Sequence, residues 1–243
     1  MAQKICFCSL KGGTGKTTVC INLAYSLANA GEKVLVIDGD SKSSGACLLA
    51  GCSGEHSFSL RDVQDGTCRA KQTLVEHSKF CNLFICSSQN CTDGVAFSRA
   101  IDELEPLFDF ILCDDCAQEK CQKIFVVTEP YAPSIKSADA CVSQIKNGRN
   151  GGVFLVVNKV NGGQIFDGEI ITPEEISRLL RTPLVAVIPE DLTLCAGKIN
   201  ARTKRAFLVF ADNVKREKNV AFNCTKAYLG AWGAFKKWIR KKL

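Results

Sequence analysis

Ser9-Leu-Lys-Gly-Gly-Thr-Gly-Lys-Thr-Thr18 is entered from a short apolar run, residues 5–10, and leads into a helix-like stretch, residues 19–30. Strand, glycine loop and helix in that order are the context of a phosphate-binding loop. Gly12, Gly13 and Gly15 let the backbone bend so that several N–H groups converge on one anion. The helix that follows adds unpaired N–H groups and the positive end of its dipole. Lys16 is placed to reach the β- and γ-phosphates of a nucleotide, and Thr17 offers a hydroxyl to Mg2+. Thr14 and Thr18 complete the predicted phosphate cradle.

Outward from the loop, Gly31 is a helix stop and residues 33–38 read as a second buried strand. It ends in Asp38-Gly-Asp40, carboxylates at the strand edge where ligands of open α/β sheets bind. Residues 59–65 and 70–77 read as short helical pieces and residues 83–86 as a strand. An apolar stripe of helical period covers residues 94–107. Residues 110–114 read as a buried strand ending in acid, which nominates Asp114 as a second carboxylate near Mg2+.

Nine residues then separate Asp114 from Ile124, too few for a turn, a full helix and a return. Strands are expected at residues 124–127, 153–157 and 184–188, with a helix over 137–146. The run Thr172-Pro-Glu-Glu175 is a capping box that starts a helix over residues 173–181. Asn158 and Pro189-Glu190-Asp191 stand at the ends of the last two strands. The alternation predicts one doubly wound α/β domain over residues 1–225, a mostly parallel sheet with helices on both faces.

The chain has 243 residues, 46% of them apolar, as in a soluble globule with a sizeable core. No stretch approaches the roughly 18 uninterrupted apolar residues of a spanning helix. The apolar run after Lys4 is too short for a secretory signal, so a cytoplasmic location is expected. Fifteen cysteines, odd in number and scattered, read as small buried hydrophobes rather than a disulfide framework. His56 and His77 have no paired ligand spacing and are expected at the surface.

The net charge of +6 is concentrated in residues 226–243, where Lys226, Lys236, Lys237, Arg240, Lys241 and Lys242 stand without an acid. On a helical wheel of about 100° per residue, Tyr228, Trp232, Phe235, Ile239 and Leu243 fall in one arc flanked by Trp238. Most of the bases take the opposite side. A basic face against tryptophan and phenylalanine describes an amphipathic helix lying in a membrane interface. The alternatives are a C-terminal helix docked on the domain with solvated lysines, or a basic arm for nucleic acid.

The lysine before Gly12 is not required by the ordinary loop pattern. Lys11-Gly-Gly-x-Gly-Lys-Thr-Thr18 is a deviant Walker A motif, and through it the chain resembles the MinD/ParA family of P-loop ATPases. The resemblance implies ATP with Mg2+, a homodimer formed on ATP, and a Lys11 that reaches the partner's nucleotide. It implies that Asp38 helps hold Mg2+ and its water, that Asp40 positions the attacking water, and that Asn158 with Pro189–Asp191 holds the adenine. After Asp114 the chain departs from the family: the Asp-x-Pro-Ala-Gly pattern and its switch II helix are replaced by a short Asp114-Asp-Cys-Ala-Gln-Glu-Lys-Cys-Gln-Lys123.

The basic tail resembles the membrane-targeting helix of the MinD branch. That implies anionic lipid on the inner face of the cell membrane, division-site placement, and division-inhibitor and ATPase-activator partners. DNA-partition and flagellar-placement relatives are the competing readings. The nitrogenase iron protein, another relative, makes Cys121 a remote candidate for a shared iron–sulfur cluster.

Overall fold

The computed structural model describes residues 1–39, 45–52, 58–88, 91, 94–116, 118–147 and 152–226. Eight strands are β1 (Gln3–Cys8), β2 (Val34–Asp38), β3 (Val75–His77), β4 (Phe80–Ser87), β5 (Phe110–Asp114), β6 (Lys123–Thr128), β7 (Val153–Val160) and β8 (Leu184–Pro189). They are hydrogen-bonded in the order β3-β4-β2-β5-β1-β6-β7-β8. The chain forms two compact units. One holds Met1–Ser9, Gly15–Phe125 and Asn150–Gly152; the other holds Leu10–Thr14, Val126–Arg149 and the chain from Val153 onward.

In the first unit β2 and β5 are buried at every position, and so is nearly all of β1. That is why they read as continuous apolar runs rather than alternating ones. Helix α1 (Lys16–Asn29) packs on β1, β2, β4 and β5 through Val19, Cys20, Leu23, Ala24 and Leu27. Gly31, at φ 89°, ends it where a glycine was expected. The parallel register sets Asp38 of β2 beside Asp114 of β5. Helices α2 (Gly45–Leu49), α3 (Leu60–Gln64) and α4 (Gly94–Leu104) complete the unit.

Residues 70–77 are not one helical piece. A 3-10 turn over Ala70–Thr73 gives way to β3, the antiparallel edge strand. The strand aims His77 inward, against the rings of Tyr25 and Phe80 at 5.3 and 5.4 Å. His77 is therefore a core residue and not the surface residue its isolation in the sequence suggested. His56 lies outside the described residues.

The short link from β5 to β6 leaves beside Phe7, whose carbonyl accepts from Asp115 N, and arrives beside Lys4, whose carbonyl accepts from Gln122 N. Among its described residues the one regular element is a 3-10 turn, Gln118–Lys120. A run of this length returns to the start of β1 with no room for a helix.

The second unit contains α5 (Ala132–Asn147), α6 (Gly162–Asp167), α7 (Pro173–Leu179) and α8 (Ala201–Arg216). The capping box of α7 forms as expected: Glu175 N donates to Thr172 Oγ1 and Thr172 N to Glu175 Oε2. Helix α8 has no counterpart among the sequence expectations. Asn200 caps it, and Ala206, Phe207, Phe210, Ala211 and Val214 form its buried stripe. The amide of Asn213 binds Val185 O and Val220 O, tying the chain after α8 to β8.

Candidate nucleotide site

The phosphate loop passes from one unit to the other between Thr14 and Gly15. In the first unit Gly15 caps α1 in the left-handed region, φ 89°, which a side chain would resist. Lys16 and Thr17 thereby open the helix with their N–H groups unpaired in the first turn. Thr18 lies one position on, its carbonyl accepting from Asn22 Nδ2 at 2.8 Å.

Thr17 hydrogen-bonds the carboxylate of Asp114, whose other oxygen, Oδ1, is buried without a partner. Burial pushes the Asp114 carboxyl up to about 6, against the pull of Thr17 and Lys16 and with the push of Asp38 and Asp115. An orphaned carboxylate oxygen beside a threonine hydroxyl, with further acids close by, is the donor chemistry of a hard divalent cation. The residues present fit Mg2+.

Asp38 is buried at the end of β2, and its Oδ2 accepts from Ala46 N at 2.9 Å and Cys47 N at 3.2 Å. One carboxylate oxygen thus fixes the start of α2. Gly39 donates to Asp114 O, and a Cβ at Gly39 would lie 2.6 Å from Cys116 Cβ. The step from β2 toward Asp40 therefore excludes any side chain. Asp40 itself lies outside the described residues.

Asp115 is the site residue that the sequence reading passed over. It sits at φ 60°, an uncommon conformation that aspartate tolerates, and its Oδ2 lies 3.1 Å from Lys16 Nζ. The doubled acid Asp114-Asp115 was its available signal.

In the second unit Gly13 and Thr14 are held from β7. A register shift between Val157 and Val160 breaks the ladder, and Lys159 takes φ 55°. Such a bulge re-aims side chains. Asn158 Nδ2 donates to Thr14 O at 2.8 Å, and Lys159 Nζ donates to Gly13 O at 2.6 Å. Open space surrounds the missing Cβ positions of Gly12 and Gly13, and Gly13 has φ 79°.

Glu129, at the end of β6, joins both lysines. Its Oε1 is 2.6 Å from Lys159 Nζ, its Oε2 is 3.2 Å from Lys11 Nζ, and Ser134 Oγ bridges Oε2 and Lys11. Burial opposes its charge, yet the bonds from Lys159, Lys11 and Ser134 hold its carboxyl below the usual range. Nothing in the surrounding Thr-Glu-Pro turn marked this residue beforehand.

Pro189 ends β8 in register with Val160, and Glu190 N donates to Val160 O. Glu190 Oε2 accepts from Asn161 Nδ2, while Asp191 is spent on Thr193 and the backbone N of Asn200. Of the residues expected at the membrane, Trp232, Phe235, Lys236, Lys237, Trp238, Ile239 and Arg240 lie outside the described residues. Among the described residues no helix is long and apolar enough to cross a membrane.

Comparison with known proteins agrees with this geometry. The profile of the CobQ/CobB/MinD/ParA nucleotide binding domain matches residues 5–201. Septum site-determining protein MinD of Escherichia coli K12 is 28% identical over 248 residues, covering 89% of this chain and 91% of its own. The MinD structure of Pyrococcus horikoshii complexed with Mg-ADP superposes with a TM-score of 0.77 at 26% identity, over 89% of this chain and 97% of that one. A chain of the Aquifex aeolicus MinC:MinD complex reaches a TM-score of 0.81 at 22% identity, over 89% and 97%. The deviant loop, the paired strand-end acids and the eight-strand order thus coincide with a match over most of the chain, which belongs to the CobQ/CobB/MinD/ParA nucleotide-binding domain family, among whose members its similar relatives are MinD cell-division proteins.

Proposed function

We propose that this chain is a MinD-like ATPase that dimerises on ATP, docks on the inner face of the cell membrane and takes part in placing the division site. The observation that carries the reading is the buried, unpartnered Asp114 Oδ1 beside the Thr17 hydroxyl, directly under the phosphate-loop helix. Thr17 and Asp114, with Asp38 behind them, would hold a Mg2+ ion whose charge offsets that developing on the phosphoryl oxygens. Lys16 neutralises the phosphates from the loop side. Asp40 orients the attacking water, and Lys11 completes the site of a partner subunit.

Asn158, anchored on Thr14 O, and the Pro189–Glu190–Asp191 turn would hold the adenine. The Asp191 carboxylate is already engaged by Thr193 and Asn200, so its backbone is the contact available to the base.

Residues 226–243 supply the membrane helix in this reading. One short basic helix binds lipid weakly, each base near an anionic surface contributing about 1 kcal/mol. Two such helices on one dimer bind as a linked pair, and avidity multiplies affinity by roughly 10² or more. A division inhibitor of the Min system is the partner this reading carries with it; the Aquifex MinD is solved in a complex with MinC.

Sedimentation of the full chain with anionic liposomes tests this reading. It is expected to pellet with Mg-ATP and to stay in solution with ADP or without nucleotide. Equal pelleting in all three conditions, or salt-sensitive retention on duplex DNA in place of lipid, would overturn it.

A further inference from the structure

Glu129 has no role in the reading above, yet its carboxylate takes hydrogen bonds from two lysines and a serine. Only 11% of its side chain is exposed, and each oxygen faces one lysine, Oε2 toward Lys11 and Oε1 toward Lys159. The two lysines are not equivalent. Lys159 also donates to Gly13 O and so belongs to the scaffold of the loop. Lys11 is held by two side chains, Glu129 at 3.2 Å and Ser134 Oγ at 3.0 Å. Ser134 spans the pair, because its hydroxyl also donates to Glu129 Oε2 at 3.1 Å.

We propose that Glu129 is a positioning residue for Lys11: with Ser134 it holds that lysine against its own chain, and so sets the protein concentration at which ATP turnover begins. The inference rests on the reading of Lys11 as a lysine that serves a partner subunit. In that reading the Lys11 ammonium leaves Glu129 to reach a nucleotide on another chain, since its donors serve only acceptors within hydrogen-bond distance of one nitrogen. Dimer formation must therefore break a charge-assisted pair that the separate chain keeps. Lys159 stays behind on Glu129 and Gly13, so the carboxylate is not left alone when Lys11 departs. That asymmetry makes exchange possible, since stripping both partners from a buried acid would be far costlier.

The direction of the effect follows. Glu129→Gln keeps the shape and one hydrogen-bond acceptor but loses the charge, and leaves Lys11 and Lys159 to repel each other. Lys11 then leaves more readily. Two lysines are released per dimer, so a roughly threefold gain at each multiplies to about tenfold in the dimer constant if the two act independently.

The full chain is assayed for Mg-ATP hydrolysis across a range of protein concentrations, as wild type, Glu129→Gln and Ser134→Ala. In parallel, dilute protein without nucleotide is treated with an amine-acetylating reagent, and modification at Lys11 is read by mass spectrometry. The half-saturating protein concentration is expected to fall about tenfold in Glu129→Gln and two- to threefold in Ser134→Ala, with Lys11 labelled several-fold faster in both. Unchanged Lys11 labelling overturns the proposal, and so does faster labelling with an unchanged or raised half-saturating concentration. Should Glu129→Gln fail to fold, Ser134→Ala decides by the same two readings. If the wild type itself shows no dependence on protein concentration, the dimer reading fails and takes the effect on turnover with it, while the labelling still decides whether Glu129 restrains Lys11.

Discussion

Lys16 Nζ lies 3.1 Å from the Asp115 carboxylate, so the loop lysine expected on the phosphates is paired within its own unit. Asp115 reaches it from a left-handed backbone position, its backbone N–H donating to Phe7 O. The acid and a bound phosphate would compete for one ammonium. Asp115→Asn should therefore raise nucleotide affinity. With 47% of the Asp115 side chain exposed the gain is modest, about two- to fivefold, as for an exposed pair. Titration with a fluorescent ATP analogue measures it, and weaker binding would show that Asp115 supports the nucleotide instead.

Asp114 carries a cost that depends on pH. Its folded carboxyl is raised to about 6 from 3.8, so the folded protein binds the proton more tightly than the unfolded chain does. Stability from this group is thus largest at low pH and is lost as pH rises through about 4 to 6. The full loss above that window is on the order of 3 kcal/mol. Asp114→Asn removes the cost, so without Mg2+ it should melt higher than wild type at pH 7.5, with the gap roughly halved at pH 5 and closing below about pH 4. Its Mg-dependent ATP hydrolysis should be lost. Melting curves at the two pH values, without Mg2+, check the sign; a variant less stable at both would contradict it.

Gly39 has no space for a side chain, since a Cβ there meets Cys116 Cβ at 2.6 Å. Gly39→Ala must push β5's continuation away from β2 and should cost about 1–3 kcal/mol. The strain falls where Asp38 and Asp114 sit in register, so Mg2+ affinity should drop with it. Denaturant unfolding together with a Mg2+ titration of nucleotide binding would detect both.

Lys11→Ala should lose ATP turnover while still binding nucleotide, because its proposed role lies across a dimer. Mixed with Asp40→Ala, it forms a heterodimer in which one site keeps its own Asp40 and receives the partner's Lys11. Activity should return in part. Heterodimers proven by crosslinking yet inactive would argue that Lys11 acts in its own chain.

Removal of residues 226–243 takes away the whole net charge of +6 and should abolish sedimentation with anionic liposomes while ATP binding persists. Trp232→Glu places a charge in the apolar arc and should have the same effect, since an unpaired carboxylate opposes burial. Lys237→Glu should weaken binding chiefly at low salt, where surface electrostatics are least screened. A truncated chain that pellets as well as the intact one would assign lipid binding elsewhere.

What this sequence determined by itself is local and periodic. Chain direction, glycine placement and the run of apolar residues are enough to identify β1, the phosphate loop and α1, because each depends on neighbours within a few positions. The strand-end acids Asp38 and Asp114 were legible for the same reason, each closing a buried run. Helix α8 carries a regular stripe, whereas the edge strand β3 owes its form to pairing with β4 rather than to its own periodicity. Tertiary structure alone decided the polar pairs made by the lysines. Lys16 with Asp115, Lys11 with Glu129, and Lys159 with Gly13 O each join residues far apart in the chain. Such partners are chosen by the register of parallel strands and by a bulge in β7. Neither leaves a periodic trace in the sequence, since one displaced residue in a ladder redirects a side chain without altering the pattern around it.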